Sequence, residues 1–272
     1  MSSVDAPADL RAGVQEQAWY HTLELAPGVV TPGWFDTREV PGRIGFPASL
    51  AGQRCLDVGT FDGFWAFEME RRGAEDVLGI DILDPRGWDW PIGSPPDVVE
   101  ALAARKRGGE GFELARRALG SRVRREELSV YDVTEASAGR FDFIFVGSLL
   151  LHLRDPVLAL ERLRGVCDGA LLVLDVVDPW MTARHPRRPV ATLDGRDRPW
   201  WWQPNLAGLA RMVDAAGFRR VRRPRIVRMP RGAGQPVPAP SLGALRDRAG
   251  RRALLTALLG DPHAALVAVP RA

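Results

Sequence analysis

A glycine-rich stretch between a predicted strand and a predicted helix is the part of this sequence best suited to chemistry. Residues 56–63 read LDVGTFDG, and an acid, Asp81, follows at the end of the next apolar run. Gly59 permits a tight turn and a close approach of the backbone to a ligand, while Gly63 permits close packing of helix on strand. A carboxylate such as Asp81 can accept two hydrogen bonds from a ribose diol. The pattern indicates a nucleoside site.

The turn is a poor match to a dinucleotide site and to a P-loop that binds nucleoside triphosphates. Phe61 stands where a pyrophosphate needs bare backbone, and no Gly-Lys-Ser/Thr follows as a P-loop requires. Asp57 places a carboxylate at the end of the first strand, where it suits an ammonium group or its water shell; the alternative is a capping or salt-bridging acid. The turn therefore favours a nucleoside that carries an amino acid.

Several segments resemble the class I S-adenosylmethionine-dependent methyltransferases. The run FDFIFV at 141–146, followed by LHLRDP at 151–156, resembles the fourth strand of that family and the start of the next helix. Asp132 stands where the family places an acid or amide near the adenine amine. The subgroup resembled includes the tRNA wobble-uridine methyltransferase and carboxymethyltransferase-like proteins. The resemblance covers roughly residues 19–220, and its further carriers are TPGWFD at 31–36, GTFDGFW at 59–65 and WQPN at 202–205.

The resemblance implies a cofactor, S-adenosyl-L-methionine, and a set of residues that hold it. The relatives that use a carboxylated cofactor have a lysine for its carboxylate and a longer N-terminal region. Lys106, the only lysine here, lies in a Gly/Arg-rich stretch away from the expected place, so the plain cofactor is favoured. The predicted cofactor-binding residues are Asp57, Gly59, Thr60, Phe61, Gly63, Asp81, Ile82, Asp132, Val133 and Gly147.

Methyl transfer mainly requires that an acceptor be aligned and water excluded, and a base is needed only for a neutral hydroxyl or an ammonium acceptor. His152, after the fourth strand, and His21, in a segment that could close over the cofactor, are the candidate catalytic residues. The alternative for His152 is a packing or hydrogen-bonding role in its helix turn.

Aromatic residues predict the wall of an acceptor pocket. Nine tryptophans cluster outside the strands, and three consecutive rings at 200–202 cannot all face one core, although each single ring could simply pack a loop on the sheet. The predicted substrate residues are Tyr20, Trp34, Ser148, Trp200, Trp201, Trp202 and Asn205. No metal site is predicted among Asp175, Asp178 and His185, because Asp178 and His185 each stand beside a proline in sequence typical of loops.

Alternating apolar strands and amphipathic helices predict an α/β fold, a doubly wound Rossmann-like sheet of seven strands with an N-terminal helical lid. Residues 1–50 are expected to form the lid and substrate segment, and residues 51–272 the methyltransferase domain, with a Pro-rich loop and helix insert near 230–262. Asp62 is expected to cap the first helix. Predicted strands are 54–58, 77–82, 127–131, 141–146, 170–177, 218–227 and 264–269; predicted helices are 62–72, 98–119 broken near 108, 156–166, 206–216 and 242–259.

Composition limits the class of protein. The two cysteines, Cys55 and Cys167, are too few for a disulfide framework, and no apolar run approaches membrane-spanning length, so a cytoplasmic protein without a membrane partner is expected. Residues 1–136 carry a net charge of −8 and residues 137–272 carry +11. Seven arginines between 219 and 231 could meet phosphate, although arginine is the default cation of this chain.

The sequence predicts a methyltransferase that acts on a small molecule, expected to be a specialised metabolite, as a monomer or homodimer. One alternative is a methyl- or carboxymethyltransferase of a tRNA wobble uridine, which would use the arginine-rich segment on phosphates. The other is a nucleotide-binding module without turnover.

Overall fold

A computed structural model describes residues 8–196, 199–236 and 248–271. Its centre is a sheet of eight strands, seven of which lie in the order β10-β12-β7-β6-β3-β4-β5, and the eighth, β11, also pairs with β12. The five strands from β7 to β5 run parallel, and those at the centre are buried along almost their whole length, as expected for a sheet covered on both faces. These parallel strands are β3 Arg54–Val58, β4 Asp76–Asp81, β5 Arg124–Glu127, β6 Phe141–Gly147 and β7 Cys167–Val176.

One edge of the sheet is antiparallel. β12, Asp261–Pro270, pairs with β7 along six residues, and its other side is covered by two short strands in succession. These are β10, Phe218–Arg220, and β11, Arg225–Met229. The single strand predicted at 218–227 is therefore split, because the chain leaves the sheet around Arg222 before pairing again.

Helices cover the two faces of the sheet, and two hydrophobic clusters fill the spaces between them. The break predicted near residue 108 is confirmed, since a 3₁₀ turn at Arg107–Gly109 separates α4 from α5. The helices are α1 Ala8–Glu16, α2 Pro41–Ile44, α3 Phe64–Arg71, α4 Pro96–Lys106, α5 Glu110–Ala118, α6 Glu135–Ala138, α7 Pro156–Val166, α8 Pro179–Arg184, α9 Leu206–Ala215 and α10 Arg248–Leu259.

Two boundaries near the site differ from expectation. α3 is preceded by Gly63 in the left-handed conformation, with no side-chain cap, so the prediction that Asp62 caps this helix is wrong. β5 ends at Glu127, and residues 130–132 form a 3₁₀ turn, so the strand predicted at 127–131 lies too far along the chain.

The N-terminal segment is held against the rest of the molecule. After α1 come two short paired strands, β1 Glu24–Ala26 and β2 Val29–Val30. Phe35 forms single bridges with His21 and with Arg231, which ties this segment to the chain that follows β11. Of the predicted insert near 230–262, residues 237–247 lie outside the described residues.

The connectivity reverses beside β3. The chain passes from β3 to β4 and β5 on one side and then returns to β6 and β7 on the other. The crevice outside the carboxyl ends of strands at such a reversal is where open α/β sheets bind ligands.

Two small strands lie outside the main sheet and pair with each other. β8, Ala191–Leu193, and β9, Trp202–Pro204, form an antiparallel pair, and the chain between them reaches back over the 3₁₀ turn at Leu150–His152.

Candidate functional site

A cavity of about 410 Å³ lies in this crevice. Its walls come from the turns that follow β3, β4, β5 and β6, from the end of α4, from the N-terminal segment and from residues 199–200. Of the predicted site residues, it is lined by Tyr20, His21, Trp34, Gly59, Phe61, Asp81, Ile82, Gly147, Ser148, His152 and Trp200.

The glycine turn forms the floor. Gly59 has φ +76°, and its N–H and that of Thr60 donate to the carbonyl of Ile80 on the neighbouring strand, at 2.8 and 3.1 Å. A Cβ on Gly59 would approach Leu149, another lining residue, to 3.4 Å. The turn therefore needs glycine for its left-handed backbone conformation, which other residues rarely adopt.

Two predicted cofactor residues lie beneath this floor. Thr60 and Asp57 are each 1% exposed, and the Thr60 hydroxyl donates to Asp57 Oδ2 at 2.7 Å. Asp57 Oδ1 has no hydrogen-bond partner among the described residues, and burial raises the pKa of this carboxyl to about 7. The expectation that Asp57 faces the ligand is corrected, because its side chain is sealed under the turn. Gly63 likewise supports the turn, since a Cβ there would meet Phe67 and Phe112 below 3 Å.

Asp81 and Lys106 form a buried ion pair on the cavity wall. Lys106 Nζ lies 2.8 Å from Asp81 Oδ2 and 2.7 Å from the carbonyl oxygen of Ile82. The same ammonium lies about 5 Å from the ring centres of Phe61 and Trp88. Burial lowers the pKa of Lys106. Sequence reasoning placed Lys106 in a loop and dismissed it, but it ends α4; its being the only lysine of the chain was the available signal.

The wall beyond β5 differs from prediction. Leu128, Ser129, Val130 and Tyr131 line the cavity, whereas Asp132 is exposed and Val133 is buried in the core. The strand ends four residues before Tyr131, and this shift carries Asp132 past the rim. The expectation that Asp132 and Val133 contact the cofactor is therefore corrected.

His21 is anchored to the glycine turn by Asp62. The Asp62 carboxylate accepts the backbone N–H groups of Tyr20 and His21 at 2.8 and 2.7 Å, and its Oδ1 lies 2.6 Å from His21 Nδ1. The imidazole is 3% exposed and stacks on Phe64. Three bonds to one carboxylate fasten the N-terminal segment over the turn.

His152 belongs to the opposite wall. Its Nδ1 lies 2.5 Å from the carbonyl oxygen of Pro199, which makes Nδ1 the donor and leaves Nε2 with a free lone pair in the neutral ring. Burial lowers the pKa of this imidazole, which favours the neutral ring. His152 also connects the wall after β6 to residues 199–200.

The three consecutive tryptophans separate as the spacing indicated. Trp200 lines the cavity. Trp201 donates its ring N–H to the carbonyl of Asp89 at 2.6 Å, and Trp202 donates its own to the carbonyl of Arg154 at 3.0 Å. The structure therefore moves Trp201 and Trp202 from the acceptor wall to the support behind it.

Asn205 is a helix cap. Its Oδ1 accepts from the N–H groups of Gly208 and Val190, and its Nδ2 donates to the carbonyls of His185 and Arg188. The side chain is fully buried and does not line the cavity, so the expectation that it contacts substrate is corrected.

Ser148 connects the cavity to a histidine that the sequence analysis missed. His263 Nε2, on β12, lies 2.7 Å from Ser148 Oγ, and the ring is fully buried. The signal available in the sequence was an imidazole directly before the final apolar run at 264–269.

The residues present fit an adenosyl cofactor. Asp81 Oδ1 makes no hydrogen bond to the described residues, so this oxygen is available to a ribose hydroxyl. Ile82, Leu128 and Val130 offer apolar surface for a base, and the space over Gly59 is what a Cβ would take. Among the described residues, no group of three or more histidine, cysteine, aspartate or glutamate side chains could hold a metal ion. No helix within the described ranges is long and apolar enough to cross a membrane.

The sequence of this chain is similar to those of methyltransferases. A family model described as "Methyltransferase domain" matches residues 38–222. A tRNA U34 carboxymethyltransferase of Alcanivorax borkumensis is 32% identical over 181 residues, which is 64% of this chain and 48% of that protein. A ubiquinone biosynthesis O-methyltransferase of Acinetobacter baumannii is 29% identical over 123 residues, 45% of this chain and 39% of that protein. The chain spans about half the length, or less, of the curated relatives it matches.

Solved structures share the fold. The N-terminal domain of EvdMO1, solved in the presence of SAH and D-fucose, superposes with a TM-score of 0.54 at 15% identity, covering 99% of this chain and 98% of that one. A methyltransferase from Mesorhizobium loti gives 0.50 at 15% identity, covering 85% and 96%. The predicted doubly wound fold is confirmed.

Proposed function

The chain belongs to the methyltransferase domain family, and on that premise we propose that it transfers a methyl group from S-adenosylmethionine to a small planar acceptor. One observation carries the proposal: a single cavity joins a nucleoside-binding wall, with Gly59 and Asp81, to an aromatic wall, with Trp34 and Trp200. Its volume lies in the range of small-molecule sites.

The nucleoside wall is proposed to hold the cofactor, which when bound supplies a methyl group on a positively charged sulfur. Asp81 accepts the ribose hydroxyls through its free oxygen while Lys106 keeps the carboxylate oriented. Ile82 and Val130 enclose the base, and Gly59 lets the cofactor lie close to the backbone.

The aromatic wall is proposed to hold the acceptor. Trp34, Trp200 and Tyr20 present flat apolar surface that suits a ring and excludes water from the transfer. His152 faces the same space and can accept a hydrogen bond from the acceptor at Nε2. His21 is proposed to anchor the N-terminal segment rather than to act as a base, because Asp62 holds both its ring and its backbone.

A tRNA wobble uridine is the second candidate acceptor. The named carboxymethyltransferase relatives favour it, and so does a group of arginines at the sheet edge, where Arg219, Arg222, Arg223 and Arg271 surround one surface recess. Against it, several arginines of this segment are engaged internally: Arg220 pairs with Asp214 at 2.9 Å, and Arg228 and Arg231 donate to backbone carbonyls. Steep salt dependence of binding to bulk tRNA is the property that this candidate requires.

Transfer of radioactive methyl from S-adenosylmethionine distinguishes the candidates. The protein is incubated with a panel of hydroxylated aromatic compounds and, separately, with bulk tRNA, and label is counted in each product. We expect label in at least one small acceptor and none in tRNA, with Gly59→Val as the inactive control. Label in tRNA alone would support the second candidate. Cofactor binding without label in any acceptor or cell extract would support a non-catalytic module.

A further inference from the structure

Ser148 and His263 form a polar pair that leads from the cavity into the sheet. Ser148 lines the cavity, and His263 Nε2 lies 2.7 Å from its hydroxyl oxygen. His263 Nδ1 lies 3.2 Å from the backbone carbonyl of Asp261, so Nδ1 carries the ring proton and Nε2 accepts from Ser148. The serine hydroxyl is thereby oriented with its proton toward the imidazole, and because Tyr20 also forms a side-chain hydrogen bond with Ser148, one serine lone pair remains for a ligand.

The surroundings of His263 are apolar with acids close by. The ring packs edge-on against Phe35 at 5.9 Å and is fully buried, and burial lowers its pKa. The charged group beside the ring is Asp261 on its own strand, with Oδ2 3.8 Å from Nδ1, while Asp175 on the paired strand β7 accepts the backbone N–H groups of Leu149 and Leu150. Tyr20 forms a side-chain hydrogen bond with Ser148, and Arg228 on β11, which pairs with Pro262, donates to the carbonyl of Gly260.

We propose that the Ser148–His263 pair takes the proton of an acidic hydroxyl on the acceptor during methyl transfer. This inference rests on the proposed function. The acceptor O–H gives its proton to Ser148 Oγ as the Ser148 proton moves to His263 Nε2. The acceptor oxygen forms its bond to the methyl carbon as the carbon–sulfur bond breaks, and that electron pair stays on sulfur. The imidazolium is stabilised by the Asp261 carboxylate and later loses its proton to water.

The two histidines that line the cavity differ in what their rings contact. His21 Nδ1 is held by Asp62, whereas His152, with Nδ1 on the carbonyl of Pro199, has Nε2 free and is the competing proton acceptor. Of the described imidazoles, His263 alone has its Nε2 joined to a hydroxyl that lines the cavity. A phenol or enol suits the pair, because a neutral imidazole can accept a proton from such hydroxyls more readily than from an alcohol.

Absorbance of a nitrophenol probe tests the pair without a known acceptor. The protein is saturated with S-adenosylhomocysteine and titrated with 4-nitrophenol at a pH below the probe's own pKa, so that the free probe is mostly protonated. Only the phenolate form of the probe absorbs near 400 nm. The methyl ether 4-nitroanisole, which has no proton to give, is the matched ligand control. We expect a phenolate band in the wild-type complex and about tenfold weaker binding of the ether.

His263→Gln separates proton acceptance from structure, because a glutamine oxygen can accept the Ser148 hydrogen bond but cannot hold the proton. We expect His263→Gln and Ser148→Ala to lose the phenolate band while melting temperature and S-adenosylhomocysteine affinity stay at wild-type values. His185→Gln, outside the cavity, is the matched control and should keep the band. The band should also weaken in the wild type as pH falls and His263 takes a proton from solvent.

Three outcomes would overturn the inference. A band that survives in His263→Gln but is lost in His152→Gln would assign the proton to His152. A probe that binds no tighter than its ether, or does not bind while S-adenosylhomocysteine does, would remove the hydroxyl subsite. Failure of S-adenosylhomocysteine itself to bind would instead contradict the proposed function.

Discussion

At the scale of single residues, the site combines groups that short motifs reveal with groups that only the fold brings together. Gly59 and Asp81 were predicted because their chemistry depends on spacing along a strand, a turn and a helix. Lys106, which lines the cavity from α4, and His263, which contacts Ser148 from β12, were missed because both come from parts of the chain far from the motif. Asp132 was assigned wrongly because an error of a few residues in a strand end moves a side chain out of the site.

Substitution of Asp81 tests the nucleoside wall. We expect Asp81→Ala to weaken S-adenosylhomocysteine binding by about 1.5–3 kcal/mol, since charge-assisted hydrogen bonds to the ribose are lost and Lys106 is left unpaired. Calorimetric titration measures the change. Asp132→Ala, a change of the same kind at an exposed position, should leave the affinity unaltered. Equal effects of the two substitutions would show that the ribose is held elsewhere.

At the scale of elements, the central strands were predictable because strands buried on both faces read as continuous apolar runs. β3, β6 and α7 lie where the sequence placed them. β5 does not, because its four residues, RREE, are polar, whereas Leu128, Val130 and Tyr131, which follow it, are largely apolar and line the cavity. A run of apolar residues in the sequence can line a cavity as well as form a buried strand, so it does not by itself distinguish the two.

The cap of α9 gives a prediction at this scale. Asn205→Ala removes the cap and leaves the buried hydrogen-bond partners of the Asn205 amide unpaired. We therefore expect the free energy of unfolding to fall by about 2 kcal/mol. Denaturant titration measures it, with Arg211→Ala on the same helix as the control. The affinity for S-adenosylhomocysteine should not change. A large loss of affinity with unchanged stability would indicate that Asn205 contacts the ligand after all.

At the scale of the whole molecule, distant parts of the chain come together around one central sheet. The acidic first half and basic second half fold into one sheet, so the charge asymmetry of the sequence does not divide the molecule into two units. The switch point beside β3 was predictable from the order of strands and helices. An N-terminal lid and a wall contribution from Trp200 were also expected, but the contacts that hold these segments, such as Asp62 with His21 and Pro199 with His152, could not be read from the sequence.

Asp57 couples folding to pH. Its pKa is raised from 3.8 to about 7 by burial, so the folded state holds a proton that the unfolded state has released between these values. This contribution to stability is complete below pH 4 and is lost as pH rises toward 7. Asp57→Asn cannot ionise, so its stability relative to wild type should rise across that window by on the order of 1 kcal/mol per pH unit. A difference that does not vary with pH would contradict this assignment.

Calorimetric titration of S-adenosylhomocysteine into the wild-type protein tests the central claim most directly. We expect one molecule to bind per chain with micromolar affinity. Gly59→Val should abolish binding while the protein still melts cooperatively, because a β-branched side chain at φ +76° is strained and fills the space beside Leu149. Absence of binding to the wild type, or undiminished binding to Gly59→Val, would contradict the claim that this cavity is the cofactor site.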